Sequence, residues 1–211
     1  MIDFPASTAV HRKLPKEAFY KHLPLTAALI SKFVSDVESI FVENSLTSAA
    51  LNFSVESEVK EILLLQVNLK KAEFDAKIIE AIARQNPHRL IFLLAYEDQR
   101  QLAVYHGKLY RMEWGAADGV DLTARGAALD EVWNSFIEQI ALQEERVQLS
   151  SEKTVDERLF VQERILKLEK QIAKAEAAAW REQQPKKRFA LYQKLQQYQA
   201  ELEAVKRGTG V

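Results

Sequence analysis

None of the 211 residues is a cysteine, so disulfides, thiolate metal sites and thiol nucleophiles are excluded together. Long apolar runs are missing too: ILLLQV (62–67) and LIFLLAY (90–96) are strand-sized, far short of the ~20 residues that span a bilayer. The six glycines are scattered and build no phosphate-cradling loop, and no serine stands in a G-x-S-x-G elbow. The four histidines, His11, His22, His88 and His106, lack i, i+4 metal spacing and read as surface or strand-end residues. The opening stretch MIDFPASTAVHRKLPK has no apolar segment of signal-peptide length, so a cytoplasmic location is expected. These absences leave no catalytic residue, resident metal or cofactor to nominate.

What is present is an ordinary soluble composition. Hydrophobic residues make up 47% and charged residues 28%, which places the chain among globular rather than disordered proteins. The net charge is −1, but it is unevenly spread. Residues 151–211 carry 13 Lys/Arg against 9 Asp/Glu, and the remainder 16 against 21, so the tail is +4 and the body −5. A mildly basic tail suits a polyanionic partner without marking a dedicated nucleic-acid domain.

Periodicity separates the chain into two parts. KLPKEAFY suits a helix start with Pro15 in its first turn. Thr26 is placed to cap a second helix carrying Ile30, Phe33, Val34 and Val37. SIFVENSL (39–46), EVKEILLLQVNL (58–69), RLIFLLAY, QLAVYH (101–106) and KLYRMEW (108–114) read as strands. A helix over 72–85, with Phe74, Ile78, Ala81 and Ile82 on one face, separates the second and third, so those two are expected to be parallel. After the loop GAADGVDLTARGAAL, a helix with Val132, Trp133, Phe136, Ile137 and Ile140 on its apolar face closes the unit. The expected body is an α+β domain over 1–149, a mixed sheet of about five strands with helices packed on it.

The tail, 150–211, changes register. Thr154 and Glu157 have capping-box spacing. Val161, Ile165, Leu168, Ile172, Ala175 and Ala179 then recur at alternating steps of four and three, and Leu191, Leu195, Tyr198, Leu202 and Val205 repeat the pattern after Pro185. This is heptad patterning, and the proline between the arms predicts an antiparallel helical hairpin of coiled-coil type. A homodimer joined through the tail is the competing arrangement.

The order of these elements and their wording carry a resemblance. KLPKEAFY, DVESIFVENSLTSAALNF, EVKEILLLQVNLK, VYHGKLYRMEW and LEKQIAKAEAAAWREQQPKKRFALYQKLQQYQAEL together resemble the bacterial and archaeal domain-of-unknown-function family numbered 4391, over nearly the whole chain. None of these stretches is a catalytic signature. The resemblance implies a setting beside helicases, nucleases and methyltransferases of restriction-type defence clusters. The sequence departs from the family's usual tail at Pro185 and at Tyr192, which stands where a polar residue is expected.

That setting makes a metal-dependent nuclease of restriction type the first chemistry to test. Such enzymes need two carboxylates and a lysine about adjacent strands. Here Glu61 opens a strand and Lys70 follows its end, but amides, Gln66 and Asn68, stand where a second acid is wanted. Asp118 and Asp121 read as an ordinary turn, and Trp114 as sealing the core edge. The remaining feature is the basic cluster Arg181, Lys186, Lys187 and Arg188, flanked by Trp180 and Phe189. In a hairpin these cations gather at the tip, where aromatics beside them suit stacking and phosphate contact. The plainer reading is a solvated turn, with the two aromatics plugging the end of the seam. The expectation is therefore a non-enzymatic accessory or adaptor protein of a DNA-processing system. It would bind a larger protein, such as a helicase or methyltransferase, with nucleic acid at the tip, no membrane, and a degenerate nuclease or a homo-oligomer as alternatives.

Overall fold

The computed structural model describes residues 2–17, 19, 25–54, 56–142 and 153–207, and the chain divides into two compact units, Met1–Glu144 and Glu145–Val211. The expected boundary between 149 and 150 lies outside the described residues.

The first unit is built on a mixed sheet. Among the described residues it has seven strands, β1 (Ala9–Leu14), β2 (Val37–Leu46), β3 (Ile62–Leu69), β4 (Arg89–Tyr96), β5 (Gln99–His106), β6 (Lys108–Arg111) and β7 (Gly115–Ala116). The first six lie side by side in chain order, and β7 pairs with β5. Only β3 and β4 run parallel, with Ile62 opposite Arg89, as the strand–helix–strand spacing predicts.

The two additional strands are β1 and β7. AVHRKL in β1 is almost wholly exposed, so it has no inward-facing apolar row to betray it. Its register slips between Ala9 and Arg12, where His11 takes a left-handed φ of 48°. A charged, irregular strand of this kind suits a sheet edge. The helix expected after Pro15 falls largely outside the described residues.

Among the described residues three α-helices cover the sheet, α1 (Ala27–Asp36), α2 (Lys77–Gln85) and α3 (Leu129–Ile137), the last continued by a π-helical turn over Glu138–Leu142. Thr26 caps α1 as expected, its hydroxyl accepting the Leu29 N–H at 3.3 Å. Phe33 of α1 and Ile78, Ile79 and Ile82 of α2 share one core cluster with Ile40, Val67 and Phe92 of the sheet. Alternate strand residues Ile62, Leu64, Ile91, Leu102 and Val104 are buried but belong to no part of that cluster. They face the other side, as period-two alternation requires, where α3 contacts β5. Val132, Trp133, Phe136, Ile137 and Ile140 are all buried, the last within the π turn.

Two residues sit differently from the expected helices. Val37 is the first residue of β2, not part of α1. The chain turns there because Asp36, 1% exposed, is tied to Ser35 Oγ at 2.6 Å, the Asp75 N–H at 3.0 Å and Lys71 Nζ at 2.7 Å. A β-branched residue then enters the extended region readily. Phe74 precedes α2 yet still packs on the core. Trp114 packs there as well.

The second unit is a helical hairpin of α4 (Val155–Arg181) and α5 (Pro185–Lys206). Thr154 and Glu157 form the full capping box. The Thr154 backbone N–H, at 2.8 Å, and then its hydroxyl hold the Glu157 carboxyl below the usual glutamate range. Val161, Ile165, Leu168 and Val205 form one buried cluster against Tyr198 and Leu202. Arg164 pairs with Glu201, and Lys206 with Glu169 at 3.7 Å. The start of α4 therefore meets the end of α5, so the hairpin is antiparallel.

Candidate functional site

Pro185 occupies the first turn of α5, where its missing N–H is no loss. The connection is short: α4 ends at Arg181, and the Gln184 N–H donates to the Glu182 carboxylate at 2.9 Å. This places Arg181 at the end of one arm and Lys186, Lys187 and Arg188 in the first turn of the next, all exposed. None of the four has an ion pair among the described residues. Gln184 supplies no side-chain cap, and no acid stands in that first turn. Three cations thus meet the positive end of a helix dipole, a few tenths of a kcal/mol unfavourable each.

The flanking aromatics do not plug the seam. Trp180 is 86% exposed and Phe189 63%. The heptad phase accounts for this, because the seam passes through Ala179 and Leu191 and leaves both aromatics beside it. Tyr192, three residues beyond Phe189, is exposed as well. The turn is therefore a solvent-facing group of aromatics and unpaired cations.

The residues weighed for nuclease chemistry separate. Glu61 precedes β3 and Lys70 follows it, so they stand beyond opposite ends of an eight-residue strand, roughly 30 Å apart at ~3.3 Å per residue. Lys70 Nζ donates to the Val34 carbonyl at 3.0 Å. The amides bond each other, Gln66 to Asn68 at 2.9 Å and Asn68 to Ser39 at 2.8 Å. No group of three or more His, Asp or Glu side chains placed to hold a metal occurs among the described residues.

Glu61 has other neighbours, which the sequence reading missed. One of its oxygens accepts from Ser45 Oγ, and the other lies 3.0 Å from His88 Nδ1. The parallel register brings this about: Ile62 faces Arg89, so the residues before them, Glu61 and His88, are neighbours. The aligned starts of the two apolar runs were the available signal. Around this pair opens a 620 Å3 cleft that also takes in Lys60, Arg89, His106, Asp130 and Trp133. The Arg89 guanidinium lies 5.6 Å from the centre of the Trp133 ring, and Trp133 is 4% exposed. Asp130 accepts the Glu58 and Val59 N–H groups at 3.0 and 2.9 Å.

Among the described residues no helix is long and apolar enough to cross a membrane. No curated protein and no solved structure is detectably similar to the chain. The family model for the domain of unknown function DUF4391 matches residues 2–202, nearly the full length, and the chain belongs to that family.

Proposed function

We propose that the protein is a non-enzymatic accessory protein of a DNA-processing system that contacts nucleic acid through the turn of its helical hairpin. The observation that carries this is the pairing of solvent-exposed Trp180 and Phe189 with four cations that have no partner among the described residues. Leaving an aromatic of this size in water forgoes about 1.5–3 kcal/mol of burial, and the cations oppose the dipole of α5. Neither choice serves the stability of the hairpin. Both suit a strand of nucleic acid, for which stacking is worth about 1–3 kcal/mol per base and each phosphate neutralised releases counterions. The DNA-processing setting rests on the family resemblance, and so does a larger protein partner such as a helicase or methyltransferase.

Fluorescence anisotropy with a labelled single-stranded oligonucleotide tests the reading. Four phosphate contacts predict log K falling against log salt with a slope of about −3. Lys186→Glu combined with Lys187→Glu should abolish that binding without lowering the melting temperature, since neither lysine has a partner to lose among the described residues and acids suit the start of α5. A wild-type protein that retains no oligonucleotide at low salt would sink the proposal.

A further inference from the structure

The cleft beside Glu61 and His88 serves no purpose in the function proposed above, and its chemistry is that of a ligand site. Its 620 Å3 falls in the range of small-molecule pockets, about 300–1,000 Å3. The strand pairing assembles it: the starts of β3 and β4 lie in register, and β5, antiparallel to β4, delivers His106 to the same end of the sheet. The first turns of α3 supply Asp130 and Trp133.

The partners of each charged group indicate what the cleft would hold. Asp130 is engaged by two backbone N–H groups, and Glu61 by Ser45 and His88. Glu58 is the remaining carboxylate, exposed and without a side-chain partner among the described residues. Against it stand Lys60, whose Nζ donates to the Ser57 carbonyl at 2.7 Å, and Arg89. The lining as a whole carries three carboxylates, Glu58, Glu61 and Asp130, against these two cations, so any anion must be met locally, at Arg89. Arg89 has no carboxylate partner among the described residues, and its guanidinium is steadied on Trp133. Five donors in a flat fork, stacked and unengaged, suit an oxyanion. His88 Nδ1 lies 3.0 Å from the Glu61 carboxylate, which leaves Nε2 as the ring's other nitrogen.

We infer that this cleft binds a phosphate-bearing small molecule, with Arg89 as the bidentate anchor and His88, held beside Glu61, as the second polar contact. Phosphate suits this pair better than a carboxylate, because its oxygens point in tetrahedral directions and can meet the Arg89 fork and the His88 ring together.

Isothermal titration of the full chain with inorganic phosphate tests this, with thermal unfolding as the control for folding. The wild type should bind one phosphate with a dissociation constant on the order of 1 mM. Arg89→Gln and His88→Gln should each weaken it at least ~10-fold, as expected for the loss of a charge-assisted hydrogen bond. Arg89→Lys keeps the charge but not the fork, so it should also bind more weakly and serves if the glutamine variant unfolds. Lys186→Glu with Lys187→Glu should leave the affinity unchanged, which separates the cleft from the hairpin turn. The inference is overturned if the wild type gives no saturable heat, if Arg89→Lys binds as tightly as wild type, if the hairpin variant loses binding, or if acetate displaces phosphate at equal concentration.

Discussion

Asp36 shows how one side chain can join three segments. Its carboxylate ends α1, starts β2 and holds the loop before α2 through the Asp75 N–H and Lys71. Burial pushes its carboxyl up, and the hydrogen bonds from Lys71, Ser35 and Asp75, with the Lys71 charge, more than reverse this, so it titrates below the ordinary aspartate value. A carboxyl depressed on folding stabilises the fold above its unfolded value and loses that contribution as pH falls through its folded one. Asp36→Asn should therefore cost about 2 kcal/mol at neutral pH, typical of hydrogen bonds to a charged group, and the loss should shrink under acid. Chemical denaturation at neutral and strongly acidic pH measures this, and an equal loss at both would contradict the assignment. Nothing about Asp36 was visible in the sequence, because its partners lie up to 39 positions away.

At the scale of elements, legibility followed how local each signal was. The heptad seams of α4 and α5 need only neighbouring residues, and seven of the eleven positions they name are buried, the other four half-buried. Heptad phase also contained the exposure of Trp180 and Phe189, had it been followed to the ends of the arms. β1 was hidden because an exposed edge strand has no apolar row to alternate. The pairing of Glu61 with His88 depends on strand register, which neither strand's sequence states alone. The antiparallel hairpin makes its own prediction: Arg164 faces Glu201. Arg164→Glu and Glu201→Arg should each lower stability by under ~1 kcal/mol, as surface pairs do, and the double swap should restore most of it. Thermal melts of the three variants suffice, and additive losses would show that these two side chains do not meet.

For the molecule as a whole, the question is whether the tail assembles copies. Val161, Ile165 and Leu168 are buried with Val205 of the same chain, so the heptad surface is already covered. Sedimentation equilibrium should give the monomer mass, 24.1 kDa, and twice that value would favour the dimer joined through the tail. The exposure of Trp180 has a further practical consequence. Of the three tryptophans, Trp133 is enclosed, Trp114 packs on the core, and Trp180 stands in water. The protein thus carries an intrinsic optical probe at the turn of its hairpin. Iodide should quench the red edge of its emission first, and any molecule that covers the turn should shift that emission to the blue, with no label attached.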